Sequence, residues 1–177
     1  MHSPTFTRRN PRLPPQNYIG KKAYFVTICC QNHKPLMNDS GTINAILEDL
    51  RDLAAAQGFA VHAYCFMPDH LHFLIEGLTQ QSDMRGFMVR FKQRTAFKHQ
   101  RRFSERLWHY NYYDHILRSG DAMDGIAWYI WMNPVRKGLC RDAHDFPHSG
   151  SFTIPRKTTP RPEQVWIPPW KKSTKPT

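Results

Sequence analysis

Two strand-length runs, Phe59 to Met67 (FAVHAYCFM) and His70 to Glu76 (HLHFLIE), are separated only by Pro68-Asp69. A connection that short turns the chain straight back, so the pair reads as an antiparallel β-hairpin. Within the second run, residues two apart point to the same face of a strand. His70 and His72 therefore share one face, while Leu71, Phe73 and Ile75 turn the other way into a core. Two imidazoles set like this can converge on one divalent ion. The plainer alternative is a pair of half-exposed histidines with no chemical role, since imidazole is common at partly buried positions.

The remaining elements follow from hydrophobic period and punctuation. Ala23 to Cys30 (AYFVTICC) is rich in strand formers and reads as a buried strand. From Thr42 to Gln57, Ile43, Ile46, Leu47, Leu50, Leu53 and Ala54 keep the helical period, and Gly58 stands where a left-handed cap is expected. A second helix spans about Ser82 to Arg101, its apolar stripe being Met84, Phe87, Met88 and Phe91. Trp108 to Arg118 reads as a fourth strand, and Ala122 to Met132 as a short helix ended by Asn133-Pro134. The order β-α-β-β-α-β plus a further helix is a ferredoxin-like α+β arrangement, with both earlier helices on one face of an antiparallel sheet. The opposite face, bearing His70 and His72, is expected to stay open.

The chain has 177 residues, enough for one domain with a real core and tails. We divide it into a basic, Pro-rich arm over 1–22, a body over 23–152, and a basic, Pro-rich tail over 153–177 that is either draped on the body or disordered. With 25 Lys and Arg against 14 Asp and Glu, the net charge is +11, which favours a polyanionic partner, nucleic acid first. No stretch approaches the ~20 apolar residues of a membrane span, and no basic-then-apolar leader begins the chain. Cys29, Cys30, Cys65 and Cys140 lack zinc-ligand spacing and read as reduced thiols, so a cytoplasmic setting is expected. On the second helix Arg90, Lys92, Arg94 and Lys98 crowd together with almost no interleaved acid, a pattern that suits either a phosphate-facing surface or a solvated face.

Tyr129 and Asn133 lie four apart and so share a helix face, about 40° apart at ~100° per residue. A hydroxyl and an amide oxygen can then enter one cavity; the alternative for a helical tyrosine is simple packing. Met67-Pro68-Asp69-His70-Leu71-His72, Tyr112-Tyr113-Asp114-His115-Ile116-Leu117-Arg118, and Tyr129 followed by Asn133-Pro134-Val135-Arg136-Lys137-Gly138-Leu139 together resemble the single-tyrosine transposases of the IS200/IS605 type, more narrowly their REP-associated tyrosine transposase branch. The similarity spans about residues 18 to 152. It implies the histidine-hydrophobic-histidine (HUH) endonuclease fold, a metal site at His70, His72 and Asn133, and a nucleophile at Tyr129. Many insertion-sequence relatives carry glutamine at the position of Asn133.

The residue types suit that chemistry. A divalent ion polarises an anionic phosphodiester, and two neutral imidazoles and an amide leave its charge nearly undiminished. Such a set admits Mg²⁺ or Mn²⁺, though imidazoles alone also suit zinc or nickel. A phenol, with pKa near 10 when free, becomes nucleophilic as its proton is lost near that charge. The resemblance implies single-stranded or hairpin DNA from palindromic repeats as substrate, and a monomer or homodimer as the working unit. Arg90, Lys92, Arg94, Lys98 and Arg118 are the expected DNA contacts; Tyr110, Tyr112 and Tyr113 either stack on unpaired bases or fill the sheet core. Competing readings are a non-catalytic DNA-binding module of the same fold, and a hydrolase using metal-activated water.

Overall fold

A computed structural model of the chain describes residues 13–118, 120–163 and 166–169. Arg8, Arg9 and Arg12 of the basic arm, and the tail from residue 170, lie outside them. The expected order of elements is present: β1 (Ala23–Cys30), α1 (Ser40–Ala56), β2 (Phe59–Met67), β3 (His70–Gly77), α2 (Met84–Phe103), β4 (Trp108–Ile116) and α3 (Met123–Trp131). Two short elements were not foreseen, α4 (Asn133–Arg136) and β5 (Ser149–Gly150). The sheet is antiparallel in the order β4-β1-β3-β2-β5, which places the histidine strand at its centre.

Local chemistry sets the boundaries. The Asp39 carboxylate accepts from Thr42 N at 2.8 Å and opens α1; Asp83 accepts from Arg85 N and Gly86 N and opens α2. Gly58, at φ +69°, makes the left-handed exit from α1 that any Cβ would strain. The hairpin turn is pinned from outside, because Asp69 O accepts from Cys30 N at 2.8 Å and Pro68 O from Met37 N at 3.0 Å.

Two cores sandwich the sheet. On one face Leu71, Phe73 and Ile75 pack with Tyr24, Val26 and Ile28 beneath Ile43, Ile46 and Leu50 of α1 and Phe87 and Phe91 of α2. On the other, Phe25, Ala63, Cys65, Met67 and Leu74 pack beneath Ile126, Ala127, Ile130 and Trp131 of α3. The histidine face is thus not open, as the order of elements alone suggested. α3 is apolar nearly all round and has to bury more than one stripe, so it takes the free side of the sheet. In β2 the pairing register shifts between Val61 and Ala63, leaving His62 in a bulge, and the inward phase switches from Phe59 and Val61 to Ala63, Cys65 and Met67.

Both expected tails contribute to the body where they are described. Tyr18 is buried, stacks on Tyr24 and donates to Asp114 Oδ2 at 2.8 Å. Ile154 and Trp166 pack into the second core. Asn133-Pro134 begins α4 instead of closing the chain's last helix: Met132 breaks the run, and Pro134 falls in the first turn of α4, where its missing N–H costs nothing.

Candidate active site on the second face of the sheet

β3 aligns His72 with Thr27 of β1 and Cys65 of β2, and His70 with Cys29 and Met67. Neighbours across an antiparallel pair share a face. The two imidazoles therefore rise from the middle of the sheet, with Nε2 of His70 and Nε2 of His72 3.0 Å apart and their rings 78° from coplanar. Each ring is oriented through its other nitrogen: His70 Nδ1 meets Asp69 Oδ1 at 2.6 Å, and His72 Nδ1 meets Thr27 Oγ1 at 2.7 Å. The hydrogen bond from His70 holds the Asp69 carboxyl below its ordinary range. A carboxylate only accepts, so the neutral His70 ring has its proton on Nδ1, which turns the lone pair at Nε2 outward. The Thr27 hydroxyl can take either role.

This arrangement fits a cation. At 3.0 Å the two Nε2 atoms share either a proton, as a hydrogen bond, or a metal ion. That spacing also matches adjacent corners of an octahedron with bonds of about 2.1 Å. Outer partners such as Asp69 and Thr27 are the usual means of fixing ligand tautomers. Among the described residues no third His, Cys, Asp or Glu completes a metal cluster with the pair. Cys29, opposite His70, is pushed up to about 11 by burial and, less strongly, by Asp69, so its thiol stays protonated at neutral pH.

Tyr129 is buried on α3. The Phe25 ring touches both halves of the site, its centroid 5.5 Å from His72 and 6.0 Å from Tyr129. Trp166, from the C-terminal segment, stands edge-on to Tyr129 at 5.3 Å and also meets Phe25 and His115. Asn133 is buried at the start of α4, where its Nδ2 donates to Tyr129 O at 3.2 Å and Ile130 O at 3.3 Å. The amide nitrogen is thereby engaged by the end of α3, and Oδ1 is the atom left for a ligand. Arg136, which sequence reasoning did not single out, lies with its guanidinium carbon 4.2 Å from the Tyr129 ring centre and donates to Tyr129 O at 2.7 Å. Its signal is the seven-residue spacing from Tyr129, two helical turns on.

The expected DNA contacts divide. The α2 cations lie on the face of the sheet away from the histidines, and acids absent from their own helix come to them from α1. Arg94 Nε is 2.7 Å and Lys98 Nζ 2.6 Å from Asp49 Oδ1, Arg94 also reaches Asp52, and Arg90 donates to Gln57. Lys92 donates to the carbonyls of His109 and Tyr110 on β4. Arg118 is exposed, and its guanidinium makes no hydrogen bond or ion pair among the described residues. Tyr112 and Tyr113 pack against the two cores, while Tyr110 is 89% exposed.

The family described as transposase, IS200 like, matches residues 19–131, well over half of the chain. The chain belongs to the IS200-like transposase family. This transposase is 28% identical over 159 residues to an uncharacterized protein of Haemophilus influenzae, across 72% of this chain and 88% of the relative. It is 26% identical over 140 residues to a second protein of that organism, assigned by name to the REP-associated tyrosine transposases, across 71% of this chain and 77% of the relative. A REP-associated tyrosine transposase solved bound to a REP hairpin shares the fold, with a TM-score of 0.66 and 17% identity over 81% of this chain and 82% of the other. Among the described residues of the transposase, no helix is long and apolar enough to cross a membrane.

Proposed function

We propose that this transposase is a metal-dependent endonuclease and strand transferase for single-stranded or hairpin DNA, working through a covalent 5′-phosphotyrosine at Tyr129 and acting on palindromic repeats in the cytoplasm. The observation that carries the reading is the 3.0 Å approach of the His70 and His72 Nε2 atoms, on the same face of the sheet as Tyr129. Membership of the family and the hairpin held by the structural neighbour support the substrate class.

His70, His72 and Oδ1 of Asn133 would hold a divalent ion, Mg²⁺ or Mn²⁺, whose part is to polarise the scissile phosphate and favour in-line displacement. The chain's own residues do the rest. Tyr129 Oη loses its proton and attacks phosphorus; the bond to the 3′ oxygen breaks, and that oxygen leaves as a 3′-OH. The 5′ phosphate stays esterified to the phenol, so attack by another strand's 3′-OH restores a phosphodiester without ATP. Arg136 keeps a positive charge against the Tyr129 ring, and Phe25 and Trp166 wall the phenol from bulk water. Arg118, exposed and with a guanidinium unbonded among the described residues, is the expected cation still available to a phosphate.

Labelled hairpin DNA incubated with the protein and Mn²⁺, then run on a denaturing gel, tests the reading. Wild type should give protein-linked product, and Tyr129→Phe should give none while still binding the hairpin. A covalent adduct that survives in Tyr129→Phe would falsify the assignment; hairpin binding by wild type with neither adduct nor cleavage would favour the non-catalytic module.

A further inference from the structure

Arg136 carries a positive charge with no carboxylate to answer it. Its guanidinium carbon lies 4.2 Å from the Tyr129 ring centre, and Nη2 donates to Tyr129 O at 2.7 Å. The other two guanidinium nitrogens make no hydrogen bond or ion pair among the described residues, and the residue is exposed. The acidic groups that face it are a phenol and a thiol, those of Tyr129 and Cys65. Loss of water around the guanidinium and, less strongly, the neighbouring Arg161 both work against its charge. A cation held in that way beside the reacting phenol is short of an anion.

Closing α3 does not account for it. The last carbonyls of a helix need donors, and Tyr129 O already accepts from Asn133 Nδ2 at 3.2 Å, which also serves Ile130 O at 3.3 Å. The bond from Arg136 is a second donor to a carbonyl that has one. A cation suits the negative end of a helix, but a lysine would supply that as well. What arginine adds is a flat, delocalised charge that stacks on an aromatic face and keeps its remaining N–H groups in the fork spacing that matches two phosphate oxygens. The ring beneath it is the one whose hydroxyl is to become a phosphate ester.

We propose that Arg136 is a catalytic residue of strand cleavage: its guanidinium, seated on the Tyr129 ring, grips the non-bridging oxygens of the scissile phosphate while phosphorus passes from the 3′ oxygen to Tyr129 Oη, and holds the resulting phosphotyrosine until another 3′-OH attacks it. The proposal rests on the DNA reading above and deepens it. The Oη–P bond forms as the P–O3′ bond breaks; the electron pair of the broken bond stays on the 3′ oxygen, which takes a proton from water, and the phenol gives its proton to water. Arg136 exchanges no proton and is charged throughout. Its contribution is a fixed positive charge where the five-coordinate phosphorus concentrates negative charge, and such a group acts most strongly on the transition state because it needs no rearrangement. The bond to Tyr129 O pins the guanidinium to the residue it serves.

Single-turnover adduct formation by the full chain tests it, with Mn²⁺ and labelled hairpins that carry either the natural phosphate or an uncharged methylphosphonate at the cleaved position. On the phosphate, Arg136→Gln, which keeps an N–H donor but no charge, should form adduct about 100-fold more slowly than wild type, the scale of losing one preset donor to a developing anion. Its hairpin affinity and thermal midpoint should be essentially those of wild type, because Asn133 still closes α3. Arg136→Lys, which restores the charge, should recover most of the rate. On the methylphosphonate, wild type and Arg136→Gln should react equally, since the charge that Arg136 meets is gone. An unchanged rate in Arg136→Gln, a defect confined to hairpin affinity, a defect as deep on methylphosphonate as on phosphate, or a lowered thermal midpoint, the mark of a mere helix cap, would overturn the proposal. Wild type that binds the phosphate hairpin but forms no adduct would instead remove the covalent reading, and the clamp with it, an outcome separate from these four.

Discussion

The Thr27 hydroxyl and the Asp69 carboxylate decide which nitrogens of His72 and His70 face a ligand. Replacing Thr27 by Val keeps the shape and removes that control. Calorimetric titration with Mn²⁺ should then show affinity about 10- to 100-fold weaker than wild type, the usual cost of losing an outer partner, with the unfolding midpoint essentially kept. An unchanged affinity would mean that the ring is oriented by packing alone. His99 and His115 carry a second prediction. Burial lowers both below the ordinary 6.5, opposed for His99 by Glu105 and Asp39 and for His115 by Asp121. The unfolded chain takes up protons below about pH 6.5 while the folded chain resists them, so stability is full above that pH and falls as the pH drops toward the folded values. Urea midpoints at pH 7.5, 6.5 and 5.5 should decline in that order, and less steeply in His99→Leu. At this scale the shared face of the histidine pair was legible because a strand repeats every two residues, whereas Tyr129 and Asn133, read as one helix, fall on α3 and α4. Thr27 was not, because only the β1–β3 register carries it to His72.

Phe91 shows how an element is held by its neighbours: its ring meets Phe73 on β3, Phe87 one turn back and Trp108 on β4, each at 6.1 Å. Truncating it to alanine should cost about 3–5 kcal/mol in chemical denaturation; a loss below 1 kcal/mol would mean that the helix–sheet interface closes over the gap. β1 through α3 could be read from the chain because each carries its own period and its own stop, such as Asp39 and Gly58 around α1. β5 has only two residues, and its pairing with Tyr64 and Cys65 is a tertiary event with no local pattern. The partners of the α2 cations were illegible for a related reason. Their counter-charges, Asp49 and Asp52, sit some forty residues earlier and reach them only when α1 and α2 pack side by side.

At the scale of the whole molecule, the second core depends on the C-terminal segment in a way the first does not. Arg156 ties that segment to Ala143 O, Phe146 O and His144 O, the Trp128 indole donates to Pro160 O, and Trp166 packs on Phe25 and Tyr129. Deleting residues 153–177 should therefore accelerate hydrogen exchange in α3 and α4 and leave α1 and α2 nearly unchanged; uniform acceleration would show a single cooperative unit. Proline content alone could not place this segment, since it states that the chain cannot coil into a helix but not what it lies upon. β3, by contrast, is clasped by β1 on one side and β2 on the other. Shifting it by one residue would send every side chain through to the opposite surface. The imidazoles thus stand on an immovable anvil, whereas phenol and carboxamide stand on two separate elements, α3 and α4, that meet at Met132.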